Sequence, residues 1–137
     1  MEEFMPHIRL SKEQAAPHVL LPGDPQRLDR IAECLEDVKE LAYNREYRSL
    51  RGVFKGVPVM AVSTGIGGAS AAIAVEELVR IGVRNMIRIG SCGALQKGIR
   101  LGDLILVNGA VRDDGASVTY VDSIYPAIPD TELLAAC

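Results

Sequence analysis

The sequence is short of the residues on which metal centres, disulfide frameworks and covalent catalysis depend. Among its 137 residues there are three cysteines and two histidines. Cys34, Cys92 and Cys137 are odd in number and lack metal-type spacing, which indicates a reduced, intracellular protein. A catalytic cysteine at Cys92 would need a histidine partner, and only His7 and His18 are available. We therefore interpret Cys92 as a small wall residue of a binding site.

Excess positive charge and long apolar runs are also missing. The formal net charge is -3 and the sequence pI is about 5.4, which argues against nucleic-acid binding as the main task. No uninterrupted apolar stretch is long enough to cross a bilayer, and the N-terminus lacks the basic start and apolar core of a signal peptide. We therefore expect a cytoplasmic protein with no membrane or nucleic-acid partner.

The residues that are present predict an α/β fold. With 48% hydrophobic residues and a mean hydropathy of +0.15, the chain has enough apolar content for one compact domain over residues 1–137. Strands and helices alternate, which predicts a mixed, largely parallel twisted sheet flanked by helices. The predicted strands are His18–Leu21, Val38–Tyr43, Arg45–Val53, Val57–Ser63, Asn85–Ile89 and Asp103–Gly109, and the predicted helices are Gln26–Leu35 and Gly68–Ile81.

Some of these elements carry finer expectations. Lys55-Gly56 is typical of a hairpin turn. The helix from Gly68 to Ile81 is rich in small and apolar residues, so we expect burial on most faces and a cap at Gly82. Its expected solvent-facing residues are Glu76, Glu77 and Arg80. The strand from Asn85 is nearly all apolar, which predicts a central parallel strand covered on both faces.

A last helix is predicted where the chain ends. Pro129-Asp130 form a good helix start, an apolar-faced helix has begun by Leu134, and the chain stops at Cys137. A naturally short terminal helix is one interpretation, but helices of about two turns are marginal on their own. We favour a chain cut short, which makes the chain an incomplete copy of its fold.

The strand that carries Arg88 is the strongest functional signal. Arg88 lies in the apolar segment Met86–Ile89, which leads into the glycine-bearing turn Gly90–Gly93. A guanidinium is costly to bury unless an anion meets it, so we expect a phosphate at this strand end. Two other strands end in similar turns, Gly23–Arg27 and Thr64–Gly68. Ligands collect at the carboxyl ends of parallel strands, so the three turns predict one site.

Two common phosphate motifs are disfavoured. In a dinucleotide fingerprint at Gly65-Ile66-Gly67, Ser70 stands where the third glycine belongs, and no acidic residue follows at the expected distance. No Gly-Lys-Ser/Thr follows any of the turns, which excludes a P-loop. A looser cradle remains, built from backbone N–H groups at Gly23 and Ser91 and from arginine side chains.

Other candidate residues have ordinary structural interpretations. Arg27 is equally typical of a solvated residue in a first helical turn, and Arg45 of a strand-surface charge paired with Glu46 or Glu40. His18 precedes an apolar strand, which favours a structural role. His7 lies in a segment that we expect to be mobile enough to reach a neighbouring subunit. Asp113-Asp114 are either an acid pair or, because glycine follows, a turn.

Taken together, these segments resemble the nucleoside phosphorylase family that includes uridine phosphorylase and the hexameric bacterial purine nucleoside phosphorylases. The resemblance extends over nearly the whole chain in the family's order. The matching segments are Pro22–Pro25 with Arg27, Arg45–Tyr47, Ser63–Gly68 with Ala74–Leu78, Arg88–Ala94, and Val111-Arg112 with Asp114–Ser117. As a set they are highly specific.

The resemblance implies a pentosyltransferase that carries out reversible phosphorolysis of a nucleoside to a free base and ribose 1-phosphate, with uridine favoured and purine nucleosides as the other choice. Arg27 and Arg88 are the implied catalytic groups. The implied phosphate ligands are Gly23, Arg27, Arg45, Arg88 and Ser91, with Arg45 supplied by an adjacent subunit. The implied nucleoside contacts are His7, from that same neighbour, and Thr64, Cys92 and Gly93.

The resemblance also bears on cofactors and assembly. Phosphate is a co-substrate and no organic cofactor is implied, but a structural potassium ion is implied at Glu46, Ile66 and Ser70. Arginine and histidine donated between subunits imply a homo-oligomer, based on a dimer and extending to a hexamer in some relatives.

One departure from the family leaves two alternatives open. The family's chain continues for about as much sequence again, and that half carries the groups that recognise and expel the base, so we expect this chain to be inactive by itself. A nucleosidase of the same fold, using water instead of phosphate, is the first alternative, although it would not need three arginines. A non-catalytic phosphate- or nucleotide-binding module is the second.

Overall fold

The structure is a computed structural model that describes residues 3–137. Its contacts divide the chain into two compact units, the first ending at Gly90 and the second running from Ser91 to Cys137. The expectation of one domain over residues 1–137 stays a prediction.

The first unit contains a five-stranded sheet, which is mixed as the sequence predicted. Its strands are β1 (His18–Leu21), β2 (Glu36–Asn44), β3 (Tyr47–Phe54), β4 (Val57–Val62) and β5 (Asn85–Arg88), in the order β2-β3-β4-β1-β5. β1 pairs in parallel with β4 and β5, whereas β3 pairs antiparallel with β2 and β4. The carboxyl ends of β1, β4 and β5 therefore lie at the same end of the sheet.

Both faces of this sheet are covered. Successive side chains of a strand point to opposite faces, so Val19 and Leu21 of β1 pack on one side while Leu20 packs on the other. On the first face lie helix α2 (Gly68–Arg80) and the N-terminal segment, with Ile8 and Leu10 fully buried. The second face is smaller. It is covered by helix α1 (Arg27–Ala32) and is built from Leu28, Leu50 and Ala61, with Leu20, Ile31, Ala32 and Leu35 around them.

Two hairpin turns connect the antiparallel strands. Lys55 and Gly56 both have positive φ, 49° and 81°, which is the pattern of a type I′ turn and confirms the predicted hairpin. The β2–β3 turn consists of Arg45 and Glu46, because Asn44 already pairs with Tyr47. The prediction that Arg45 begins a strand was therefore wrong. Arg45 has a φ of 56°, a left-handed conformation that a residue with a Cβ rarely adopts.

Of the two α-helices of this unit, α1 ends earlier than predicted and α2 begins where it was predicted. α1 ends at Ala32 rather than Leu35, since the amides of Cys34 and Leu35 bond three residues back, to Ile31 and Ala32, and tighten the last turn. α2 begins at Gly68 as predicted and is followed by Gly82 at a φ of 100°.

Glu77 of α2 was placed on the wrong face by the sequence prediction. It is only 5% exposed and lies on the buried side with Ala74, three residues before it, and Ile81, four residues after it. Glu76 and Arg80 are exposed, as expected.

β5 also corrects a prediction. It is the last strand in the sheet order and pairs with β1 alone, so it is not the central strand that its apolar sequence indicated. Asn85 and Arg88 are exposed, and Met86 and Ile87 are half-buried. The apolar pattern identified the strand correctly but not its place in the sheet.

In the second unit, the predicted strand Asp103–Gly109 is absent. These residues are exposed, and no strand pairs with them anywhere in residues 3–137. The nearest sheet-like contact is a single bridge in which the amide of Ala110 donates to the carbonyl of Ala127 at 2.9 Å. A strand is stable only when its backbone groups find a partner strand, so an apolar sequence alone does not produce one.

The rest of the second unit is organised by side-chain to backbone bonds. Arg112 donates to the hydroxyl and carbonyl of Ser117 and to the carbonyls of Val121 and Tyr125, at 2.8 to 3.1 Å. The terminal helix α3 (Thr131–Ala136) was predicted correctly, and the Asp130 carboxylate accepts the Leu133 amide at 2.9 Å.

Within residues 3–137, no helix is long and apolar enough to span a membrane. The longest, α2, has 13 residues.

Candidate phosphate-binding site

The Gly23–Arg27 and Thr64–Gly68 turns meet where β1 and β4 end. The amide of Thr64 donates to the carbonyl of Pro22 at 2.9 Å, and the amide of Gly65 donates to the carbonyl of Gly23 at 2.9 Å. These bonds continue the parallel pairing of the two strands into the turns that follow them. Thr64 is buried, and its hydroxyl also lies 3.4 Å from the Pro22 carbonyl.

Arg88 brings a positive charge to the same place. Its Nη1 donates to the Leu21 carbonyl at 3.0 Å and also to the Ile89 carbonyl, which folds the guanidinium over the end of β1. A Cβ added to Gly23 would lie 3.0 Å from Nη2 of Arg88 and 3.3 Å from the Gly65 carbonyl. Glycine at position 23 therefore makes the close approach of the guanidinium possible.

The burial of Arg88 that its apolar strand indicated is not found in the structure. The residue is exposed, because β5 is an edge strand and the guanidinium lies at its end. What the structure provides is a cation held against Gly23 beside Thr64 and Gly65, open to solvent on its outer side. An arginine in this position keeps its charge and presents planar N–H donors to an anion.

Arg27 lies at the opposite end of the Gly23–Arg27 turn from Gly23. It is the first residue of α1, its amide donates to the Asp24 carbonyl at 3.1 Å, and it is half-buried. The Asp24 carboxylate accepts the Gln26 amide at 2.9 Å and closes the turn.

Arg45 lies at the exposed tip of the β2–β3 hairpin. Of the two carboxylates that could have paired with Arg45 in its ordinary structural interpretation, Glu46 and Glu40, the second binds Arg48 instead. Strained backbone conformations are found often at functional sites, which makes Arg45 a candidate for one.

Arg48 was missed by the sequence analysis. Its guanidinium binds both carboxylate oxygens of Glu40, at 2.6 and 3.2 Å, one oxygen of Asp29 at 2.8 Å, and the carbonyl of Pro25 at 3.2 Å. Hydrogen bonding to Glu40, and next to Asp29, raises the pKa of Arg48 against the opposing effect of burial. No motif flagged this residue, because its partners come from three separate segments.

His7 is anchored, which corrects the expectation of a mobile segment. Its Nδ1 lies 2.6 Å from Oε1 of Glu77, its amide donates to the same carboxylate at 3.1 Å, and its carbonyl accepts Nδ2 of Asn44 at 2.7 Å. The neighbouring amide of Ile8 donates to Glu77 at 2.8 Å. Glu77 is thus a second functional residue that the sequence did not reveal, although its helical spacing from Ala74 and Ile81 indicated the buried face.

Of the three residues implied for a monovalent cation, Glu46 and Ser70 lie close to Gly65. A Cβ on Gly65, whose φ is 69°, would lie 2.7 Å from Cγ of Glu46 and 3.0 Å from Oγ of Ser70. The Ser70 hydroxyl donates to the Thr64 carbonyl, while Ile66 is 99% exposed. One carboxylate, a hydroxyl and backbone carbonyls are hard oxygen donors, which suits an alkali cation. Within residues 3–137, no group of three histidine, cysteine or acidic side chains is placed to hold a metal ion.

Tyr47 connects this region to α2. Its hydroxyl donates to the Ser70 carbonyl at 3.0 Å, and the side chain is fully buried. Burial, and next the negative charge of Glu46, raise the pKa of Tyr47. Tyr47 therefore remains a neutral donor and fixes the start of α2 against β3.

Ser91, Cys92 and Gly93 belong to the second unit, where all three are exposed and Cys92 is a free thiol. Their predicted contacts with phosphate and nucleoside stay predictions.

Comparison with known proteins identifies the family. A model of the phosphorylase superfamily matches residues 17–137. A uridine phosphorylase of Thermococcus kodakarensis is 49% identical over 130 residues, which are 95% of this chain and 47% of that protein. A guanosine phosphorylase of Halorubrum lacusprofundi is 43% identical, over 96% of this chain and 56% of its own length.

The solved structures that match this chain are also nucleoside phosphorylases. The crystal structure of a uridine phosphorylase from Vibrio fischeri ES114 matches with a TM-score of 0.95 and 47% identity, over 97% of this chain and 55% of that chain. The purine nucleoside phosphorylase of Toxoplasma gondii in complex with immucillin-H matches with a TM-score of 0.94 and 39% identity, over 99% and 55%. The chain thus spans about half the length of the relatives it matches. It belongs to the phosphorylase superfamily.

Proposed function

We propose that this chain serves the reversible phosphorolysis of a nucleoside, with uridine favoured over purine nucleosides. The observation that carries the proposal is the placement of the Arg88 guanidinium against Gly23, beside Thr64 and Gly65. A cation and two glycine turns at the carboxyl end of parallel strands form a receptor for a small tetrahedral anion. The similarity to proteins named uridine, guanosine and purine nucleoside phosphorylase supports the reaction class.

In this proposal the protein positions phosphate and stabilises charge. A phosphate oxygen attacks C1′ of the nucleoside, the bond from C1′ to the base nitrogen breaks, and the base leaves with the electron pair and takes up a proton. Arg27 and Arg88 hold the phosphate in line with C1′, while the phosphate dianion stabilises positive charge on the sugar. Thr64 lies between phosphate and ribose. No covalent intermediate with the chain is needed.

Two further contacts are proposed to come from a second copy of the chain. Arg45 stands at an exposed hairpin tip in a strained conformation, which suits a cation presented to a neighbour. His7 is fixed by Glu77, and its side chain is 40% exposed, so its ring is available to a sugar hydroxyl across an interface. We therefore propose a homo-oligomer based on a dimer, with a hexamer as the larger form.

A potassium ion at Glu46, Ile66 and Ser70 is part of the same proposal. The support is the approach of Glu46 and Ser70 to Gly65, near the start of α2. The ion would brace the Thr64–Gly68 turn. Raising KCl at constant ionic strength, with tetramethylammonium chloride as the balance, should raise the thermal midpoint, and Glu46→Gln should remove the effect.

The proposal is tested by phosphate binding and by base release. Arg88→Ala should abolish calorimetric binding of inorganic phosphate to the chain. Arg84→Ala is the matched control, because Arg84 precedes the opposite end of β5 and is also exposed. Unchanged phosphate affinity in Arg88→Ala would refute the site.

Release of uracil or hypoxanthine from nucleosides, measured with and without phosphate, then decides the reaction. Phosphate-dependent release supports phosphorolysis. Release that does not need phosphate indicates a nucleosidase, and phosphate binding without release indicates that these 137 residues by themselves act only as a binding module.

A further inference from the structure

Arg48 connects four parts of the first unit. Its backbone is fixed at Ser63, which accepts the Arg48 amide at 2.8 Å and donates its own amide to the Arg48 carbonyl at 2.9 Å. Ser63 immediately precedes Thr64. The side chain of Arg48 reaches Glu40 on β2, Asp29 on α1 and the carbonyl of Pro25 in the Gly23–Arg27 turn. One residue therefore joins the two turns that meet at the candidate site.

The geometry of a guanidinium explains why arginine suits this position. Nε and Nη2 bind the two oxygens of Glu40, which fixes the plane of the group. The remaining nitrogen, Nη1, is then directed at Pro25 and Asp29. A lysine carries the same charge but has only one nitrogen at its end. It cannot bind both oxygens of Glu40 through separate nitrogens and also reach Pro25 and Asp29 with another.

A stabilising role alone does not explain this arrangement. The side chains of Glu40 and Asp29 are 48% and 62% exposed, and exposed ion pairs contribute little to the free energy of unfolding. The bond to Pro25 is different in kind, because that carbonyl also accepts the amide of Leu28, at 3.3 Å, in the first turn of α1. Arg48 thereby sets the position of the segment that presents Gly23 and Arg27.

We propose that Arg48 is a positioning residue for the anion site: it holds the Gly23–Arg27 turn in place and so orients Arg27 without touching the ligand. The proposal rests on the proposed function for the identity of the ligand. The placement of the turn is a property of the chain and is measured separately.

The first experiment needs no ligand. Amide hydrogen exchange is measured by NMR in the wild-type chain, in Arg48→Met and in Arg51→Met. The control lies on the same strand, removes the same charge, and contacts the Gln14 carbonyl at 3.4 Å instead of the turn. The amides of Arg27 and Leu28 should exchange about tenfold faster in Arg48→Met, because the acceptor segment loosens, and remain unchanged in Arg51→Met. Equal protection in Arg48→Met and wild type would overturn the proposal.

The second experiment uses inorganic phosphate as the probe in a double-mutant cycle. Arg48→Met should weaken phosphate binding about tenfold when Arg27 is present, and less than about twofold in an Arg27→Met background. Arg48→Lys should not restore affinity. A loss of the same size in both backgrounds means that Arg48 acts independently of Arg27, which overturns the proposal. Failure of the wild-type chain to bind phosphate would refute the proposed function instead, and the exchange measurement would still decide the role of Arg48.

Discussion

The carboxylate of Glu77, on α2, binds His7, with Oε1 of Glu77 2.6 Å from Nδ1 of the imidazole. The same carboxylate accepts the amides of His7 and Ile8. An ionised carboxylate only accepts, so Nδ1 of His7 must carry the proton in this bond. A buried acid therefore fixes both the orientation of the ring and the path of the N-terminal segment.

Glu77→Ala should lower the free energy of unfolding by about 3 kcal/mol, because the buried amide of Ile8 and that of His7 lose their acceptor. Chemical denaturation measures the change. Glu76→Ala, one residue earlier and exposed, should change it by less than about 0.5 kcal/mol. Similar effects of the two substitutions would show that the carboxylate of Glu77 does not anchor the segment.

Arg45→Gly should stabilise the chain relative to Arg45→Ala by about 1 kcal/mol. Both substitutions remove the charge, but alanine keeps a Cβ at a φ of 56° whereas glycine adopts that conformation without strain. Thermal unfolding of the two variants isolates the backbone contribution. An alanine variant as stable as the glycine variant would argue against strain at this turn. Both variants should bind phosphate more weakly than wild type if a second copy donates Arg45.

Gly23→Ala should weaken phosphate binding about tenfold by displacing the Arg88 guanidinium, which would lie 3.0 Å from the new methyl group. The stability cost should be about 1 kcal/mol, because the Arg88 guanidinium is the end of a flexible side chain but the Gly65 carbonyl, 3.3 Å from the new methyl group, is backbone and must also shift. Gly109→Ala is the matched control, since its nearest neighbour would be the Ala127 carbonyl at 3.9 Å. Phosphate titrations followed by calorimetry compare the two. Unaltered affinity in Gly23→Ala would separate Gly23 from the site.

The turn around Asp114 should lose order in acid. Hydrogen bonds from the amides of Ser117 and Ala116, both at 2.7 Å, lower the pKa of Asp114 below its ordinary value of 3.8. A carboxylate with a lowered pKa favours the folded turn at any pH above its ordinary value. That contribution declines below 3.8 and is lost as the pH falls through the lowered pKa.

Amide chemical shifts of Ala116 and Ser117, titrated between neutral pH and strong acid, measure this transition. Asp114→Asn should abolish the transition at both amides, and Asp113→Asn should leave it in place. A midpoint above the ordinary aspartate value would contradict the assignment. The two variants also decide between the two interpretations of Asp113-Asp114. If only Asp114→Asn abolishes the transition, the pair forms a turn and not an acid pair.

Local patterns predicted much of the first unit. β1 follows its apolar run, α2 begins where small residues follow Gly67, and Lys55-Gly56 forms the hairpin that such a pair favours. These features depend on interactions between residues close in sequence, so a single sequence is sufficient to identify them.

The failed predictions share a physical cause. The apolar run at Asp103–Gly109 has a strand pattern but no partner strand in residues 3–137, and β5 has the composition of a central strand but lies at an edge. Burial and pairing are properties of neighbours in space. Arg48 and Glu77 were missed for the same reason, because each acquires its role from partners 8 to 70 residues away.

By itself, the order of residues determined most strand and helix types and the glycine turns, since these arise from backbone preferences and side-chain periodicity over short distances. It also carries the motifs on which the family resemblance rests. Only the tertiary structure decided that Arg88 lies against Gly23, that Glu77 faces inward to hold His7, and that Arg48 joins β3 to the Gly23–Arg27 turn. Those relationships depend on the strand order, which brings distant segments together and is encoded in no single stretch of the chain.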